Sequence, residues 1–135
     1  MREIHKGHRA LNLKPLEHKL TVVYIQTLDD IYEAIDARCF DIAPRQIGKN
    51  KDMVFDIYCD DEGLFKASNH LAAYGADNCL IVGDILIAKH DAQGEMVDLT
   101  QAEIDYIGKQ IYRTFDHMKR EIDILFPISY PNYTR

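Results

Sequence analysis

The sequence predicts an α+β fold: a small, mostly antiparallel sheet, one or two short helices and a long C-terminal amphipathic helix. Three observations predict it. Short β-branched runs are separated by turn residues through the first 100 positions. Thr27 and Thr100 each stand at the head of a helical pattern as capping residues. Ile104, Ile107, Ile111, Phe115, Met118, Ile122 and Leu125 then recur at steps of three and four residues, the spacing of one helical face.

Residues 1–19 have neither helical nor strand periodicity and are interrupted by Pro15, so they are expected to form an arm. Residues 20–25, Leu-Thr-Val-Val-Tyr-Ile, favour a strand. Thr27 caps the helix that follows. Asp29 and Asp30 suit the positive end of its dipole, and Leu28, Ile31 and Ile35 share one face. Residues 38–43 alternate as a strand that Pro44 is expected to close, and residues 46–52 are polar and turn-rich. Residues 53–59 form another strand, ending in the acidic turn Asp60-Asp61-Glu62-Gly63, where Gly63 can supply a positive φ.

A short helix is expected over 65–74, with Gly75 just past its end. Residues 78–89 are strand-rich, and Gly83 marks a bulge or bend within them. A turn at 91–94 leads to a return strand at 95–97. Thr100-Gln101-Ala102-Glu103 has the form of a capping box, in which threonine and glutamate each satisfy the other's backbone amide. The long helix follows and Pro127 ends it. The organisation expected is a basic arm at 1–19, one domain at 20–126 and a Pro/Tyr-rich tail at 127–135.

The chain has 135 residues, enough for one domain, and 47% of them are hydrophobic, enough for an ordinary core. No apolar run reaches the roughly 18 residues of a membrane span. The N-terminus lacks the apolar core of a secretory leader, and three cysteines suit a reduced compartment, so a cytoplasmic location is expected. The net charge of −6 is unevenly spread. The arm is +3, residues 28–62 are −6 and residues 63–100 are −3, while the last 35 residues balance. An acidic body argues against direct nucleic-acid binding, and it suits either the solvated faces of an ordinary acidic protein or a field presented to a partner with a basic surface.

The sequence holds little catalytic grammar. Cys39, Cys59 and Cys79 lie 20 residues apart with no CxxC pair, so they are expected as buried, inert thiols rather than zinc ligands. His5 and His8 would approach one another only on a helical arm, and the acidic turn lacks the residue order of a calcium loop. Gly83-Asp84 has no glycine array and no following Lys-Ser or Lys-Thr, which excludes a phosphate loop. No metal or cofactor site is expected, and the protein is read as not an enzyme. A small enzyme could still assemble a site from scattered residues, for example Asp84 with His70 or His90.

The segment Leu28-Asp29-Asp30-Ile31-Tyr32-Glu33-Ala34-Ile35 between two strands, the turn Ile57-Tyr58-Cys59-Asp60-Asp61-Glu62-Gly63 with Asn69 downstream, and Ile81-Val82-Gly83-Asp84-Ile85-Leu86-Ile87 with the capping box beyond it go together. Over about residues 21–111 this pattern resembles a small prokaryotic and phage family, domain of unknown function 3846. The chain departs from it at Asp36-Ala37-Arg38, where the family often carries a glycine. The resemblance brings no catalytic residues. It implies a setting on phages, plasmids and integrated elements.

The expectation is therefore a non-enzymatic binding protein of a mobile element, inhibiting a host defence component by protein contact through an acidic surface. Asp29, Asp30, Glu33, Asp60, Asp61 and Glu62 are the candidate contact residues. Ile122, Leu125, Phe126, Tyr130 and Tyr133 are candidates for a tail or homodimer contact, because an apolar, aromatic end left in water is costly. The alternative is a small-molecule binder that sequesters a nucleotide signal, with Asn69 and Asp84 as ligand residues aided by Lys and Arg of the arm.

Overall fold

Strand-forming residues dominate the computed structural model, which describes residues 7–63, 66 and 69–131. In chain order the elements are β1 (His8–Lys14), a 3-10 turn (Pro15–Glu17), β2 (Lys19–Ile25), α1 (Leu28–Ile35), β3 (Phe40–Ile47) and β4 (Val54–Asp60). There follow β5 (Leu71–Gly75), β6 (Leu80–Val82), β7 (Ile85–His90), β8 (Met96–Val97), α2 (Gln101–Gly108), β9 (Ile111–Phe115) and β10 (Glu121–Ser129). The ten strands form one mixed sheet in the order β2-β1-β7-β4-β3-β10-β5-β6, with β8 beside β7 and β9 beside β10. The β10–β5 pair is parallel, and the other pairs are antiparallel.

β7 explains how the layers form. It lies between β1 and β4, and its first four residues, Ile85 to Ala88, are buried. Because successive side chains point to opposite faces, an uninterrupted apolar run is what a strand covered on both sides requires. Ile85 and Ile87 enter one core and Leu86 and Ala88 a second. On the second core lies α1, through Ile31, Ala34 and Ile35. Buried Asn12 pins it there, its Nδ2 donating to the carbonyls of Ala34 at 2.8 Å and Ile85 at 2.9 Å.

The first core gathers Leu11 and Leu13 of β1 with Ala73 of β5, Ile81 of β6 and Leu125 and Ile128 of β10. Strands far apart in the order thus share one interior, so the sheet curls around it. Ile107 of α2 is buried in the same core, and the Tyr106 hydroxyl donates to the Ile47 carbonyl at 2.7 Å. Both capping threonines act as the sequence indicates. The Thr100 hydroxyl accepts from Glu103 N at 3.1 Å while Glu103 accepts from Thr100 N at 2.8 Å. Thr27 and Asp30 form the equivalent box at the head of α1.

The long C-terminal helix does not form, and the α+β expectation gives way to a sheet-rich architecture with two eight-residue helices among the described residues. Only Ile104 and Ile107 of the periodic set are helical. Beyond Gly108 the chain turns into the β9–β10 hairpin, with Ile111 opposite Leu125 and Ile122 opposite Thr114. Its residues favour this: Ile111-Tyr112-Arg113-Thr114-Phe115 is almost wholly β-branched and aromatic, and Ile122 and Ile124 alternate into the interior. The Asp116 carboxylate holds the turn by accepting from the backbones of Met118 and Arg120, each at 2.9 Å. Pro127 lies within β10, not at a helix end.

The helix expected over 65–74 is replaced by β5 from Leu71 onward, and the described residues before it belong to no helix of that span. Gly75 allows the Ile128 carbonyl to lie where a Cβ would stand, which only a close strand pairing demands. The expected arm contains β1, whose alternation is hidden because Ala10 to Leu13 are buried in succession. β3 continues through Pro44, since the described strands flank that stretch on its β4 side only. Gly83, at φ 88°, separates β6 from β7. No helix among the described residues is long and apolar enough to cross a membrane.

Candidate functional site

α1 terminates at Asp36, a C-cap in the left-handed conformation whose N–H donates to the Tyr32 carbonyl. The chain then enters β3, and the β3–β4 ladder sets Phe40 opposite Asp60. This register brings the end of the helix beside the acidic turn. Glu33 and Asp36 face Asp60, Asp61 and Glu62 across an open cleft of about 670 Å³, with Arg38 and Lys66 also on its walls.

Asp60 organises the cleft. Its Oδ1 accepts from Glu62 N at 3.0 Å, which fixes the turn, and its Oδ2 accepts from Lys66 Nζ. That hydrogen bond, with the charges of Asp60, Glu62 and Asp36 nearby, raises the Lys66 pKa above its ordinary value. Lys66 is thus tied to a carboxylate, and the carboxylates of Glu33, Asp36, Asp61 and Glu62 dominate the remaining surface.

Asp36, Asp60 and Lys66 also line a smaller pocket of about 180 Å³ with Asn69, His70 and Asp84. Asn69 Nδ2 donates to the Gly63 carbonyl at 3.0 Å, and Gly83 N donates to the His70 carbonyl at 2.8 Å. His70 Nε2 lies 3.1 Å from Asp84 Oδ1. The alternative ligand residues therefore adjoin the acidic cleft. Of the two scattered pairs, Asp84 meets His70; His90 belongs to a separate chain of bonds with Asp56 and Tyr58.

Four of the six expected contact acids line the cleft, Glu33, Asp60, Asp61 and Glu62, and Asp29 and Asp30 do not. Asp30 is committed to the helix cap. Its carboxylate accepts from the backbones of Gln26 at 2.8 Å and Thr27 at 3.0 Å, and those bonds hold its pKa below the usual value. Asp36, Arg38 and Lys66 were missed. Asp36 has a local signal, because it directly follows the last apolar position of the first helix. Lys66 has none, since only the turn geometry returns it to Asp60.

At the other end of the chain, Ile122 and Leu125 are fully buried in the interior, while Phe126 and Tyr130 are exposed. Phe126 stacks on Tyr74 with centroids 6.2 Å apart and meets Tyr112 edge-on at 6.1 Å. Tyr133 lies outside the described residues, as does His5. Among the three cysteines Cys79 is buried, Cys59 is half-buried and Cys39 is exposed on the cleft wall, contrary to the expectation for Cys39. Burial, reinforced by Asp41, pushes the Cys59 thiol up to about 11. Among the described residues no group of three or more His, Cys, Asp and Glu is arranged to hold a metal ion.

A curled, sheet-rich domain with an acidic cleft at one end is the class that fold and site define. A sequence model of the family described as domain of unknown function (DUF3846) matches residues 8–112, most of the chain, and the protein belongs to that family. The match starts at His8 and so takes in β1, which the resemblance beginning near residue 21 left out. No curated protein and no solved structure matches the chain.

Proposed function

We propose that this domain is a non-enzymatic binding protein that occupies a basic surface of a protein partner with its acidic cleft. The observation that carries the proposal is the convergence of α1 and the β4 turn, which sets Glu33, Asp36, Asp60, Asp61 and Glu62 around one opening. Like charges at close range repel one another, and a cationic partner relieves that repulsion while the fixed carboxylates steer its approach. Placed on a phage or another mobile element, the domain would act as an inhibitor of a host defence component by covering its basic face.

A nucleotide-sequestering role is the weaker reading. Asn69 and Asp84 do share a pocket, but a phosphate there would meet Asp36, Asp60 and Asp84, with Lys66 already bonded to Asp60. The carboxylates would repel it. Charge reversal separates the two readings. With Glu33, Asp61 and Glu62 changed to lysine, affinity for a lysine-rich peptide measured by fluorescence anisotropy should fall at least tenfold, and the wild-type affinity should weaken with added salt. Unchanged affinity, or a thermal shift with a nucleotide and none with the peptide, would remove the protein-contact reading.

A further inference from the structure

Beside the acidic cleft one edge of β3 is unpaired among the described residues. β4 pairs with β3 along Phe40 to Gln46, whereas β10 reaches β3 only at Gln46 and Ile47 among the described residues. The backbone of Phe40 to Arg45 therefore has a described strand on one side only. Across from it runs β6, the last strand of the sheet order. Between them is a slot of about 340 Å³ lined by Asp41, Ile42, Arg45, Asp61, Leu80 and Val82, among others.

Its walls combine three kinds of group. Ile42 and Leu80 are large apolar side chains left 46% and 38% exposed. Asp41, Asp60 and Asp61 line it, and Asp60 and Asp61 also line the acidic cleft, so the two spaces adjoin. Arg45 adds a guanidinium. Its guanidinium lies 4.4 Å from the Tyr130 ring centroid and a terminal nitrogen donates to the Pro44 carbonyl at 2.8 Å, while the buried Nε has no hydrogen-bond partner among the described residues. A buried N–H without an acceptor is uncommon, and it leaves Arg45 incompletely satisfied beside the slot.

Open strand edges are templates for pairing, and proteins usually blunt them with charge, proline or shortness. β6, with three residues, is blunted by shortness. β3 carries Pro44, which removes one donor and leaves Phe40 to Ala43 as the stretch able to pair. An extended hexapeptide is about 20 Å long, enough to span these four residues with one to spare at each end. Pairing would set alternate side chains of the guest against Ile42 on one face and Asp41 on the other. Apolar residues suit the first position and cations the second.

We propose that this slot receives an extended segment of the partner protein, with basic and apolar residues in alternation, which adds a strand to β3 along Phe40 to Ala43 while its cations reach Asp41 and Asp61. The proposal rests on the acidic-cleft reading and specifies how the partner is held: backbone bonds supply the docking and the carboxylates select charge.

The test uses the full chain and three synthetic hexapeptides: alternating lysine and valine, the same peptide N-methylated at every second residue, and alternating glutamate and valine. Only the first should bind well. N-methylation on the edge that faces β3 should weaken binding at least tenfold, and hydrogen exchange at residues 40–43 should slow at least tenfold with the unmodified peptide. Equal binding of the N-methylated peptide, or unchanged exchange, would overturn strand addition and leave the acidic-cleft reading standing. Changing exposed Asp41 and Asp61 to lysine should also cost at least tenfold; unchanged affinity there would overturn both. Deleting residues 132–135 should leave the affinity unaltered. A tenfold gain would identify those residues as the occupant and overturn the proposal.

Discussion

The Tyr58 hydroxyl and His90 Nε2 lie 2.9 Å apart, and the far side of the same ring places Nδ1 2.7 Å from Asp56 Oδ2. One proton arrangement satisfies all three groups: the tyrosine donates to Nε2, and Nδ1–H donates to the carboxylate. The bonds run from β4 to β7 and back, so they lock adjacent central strands at the rim of the second core. Burial, with the Asp56 charge added, raises the Tyr58 pKa and keeps it a donor. Tyr58→Phe should destabilise the protein by about 1–3 kcal/mol in urea unfolding, because Nε2 loses its partner. A double-mutant cycle with His90→Phe should give a combined loss smaller than the sum. Additive losses would mean that the two side chains do not interact.

Gly75 is where β5 meets β10 most closely. A Cβ built there would lie 1.5 Å from the Ile128 carbonyl oxygen, which is backbone and cannot rotate away. Gly75→Ala should therefore part the parallel pair and cost about 3 kcal/mol or more, above the common range for overpacking. Gly94→Ala makes a useful contrast. No atom lies within 4 Å of that position, and its penalty comes only from a φ of 82°. Thermal unfolding of the two variants should rank Gly75→Ala as the more damaged. Equal melting temperatures would rule out the close approach as the deciding factor.

Glu103 gives the sign of the acid limb of stability. Burial acts to raise its pKa, but the Thr100 backbone bond and Lys89 Nζ, 3.0 Å away, outweigh it and leave the value below the ordinary 4.5. A lowered folded pKa means that the stabilisation is complete above the unfolded value and disappears as pH falls through the folded one. Glu103→Gln keeps an acceptor for the cap and removes the titration. Its unfolding free energy should be lower than wild type at neutral pH, and the difference should narrow from about pH 5 downward. A constant difference across that range would show that the charge contributes nothing.

Local grammar was legible and long-range pairing was not. Thr27, Thr100 and Glu103 act within three residues of themselves, so their roles can be read directly from the sequence. The set from Ile104 to Leu125 misled because steps of three and four fit a helix while saying nothing of the residues between them. Tyr112 and Thr114 favour a strand, and Asp116 supplies the turn that lets the chain reverse. β1 was hidden for the opposite reason: a strand buried on both faces shows no alternation. Within the cleft, the acids of one helix and one turn were visible as two charge clusters. Their meeting depends on β3 pairing with β4, and Asn69 and Asp84 join them only through β5, β6 and the Gly83 turn.

Cysteine chemistry gives an independent measure of cleft occupancy. Cys39 is exposed on the cleft wall, Cys79 is buried, and Cys59 is protonated at neutral pH because its pKa stands near 11. Thiolates, not thiols, attack alkylating reagents, so Cys59 should react slowly even where reagent can reach it. With a maleimide at pH 8, peptide mapping should find Cys39 modified first, with Cys59 and Cys79 following only as the chain unfolds. Saturating the cleft with a lysine-rich peptide should slow Cys39 labelling several-fold, and the protection should vanish at high salt, where exposed charge pairs are screened. A polyglutamate peptide should give no protection. Labelling of Cys39 at one rate under all three conditions would place the bound cations away from the cleft formed by Glu33, Asp61 and Glu62.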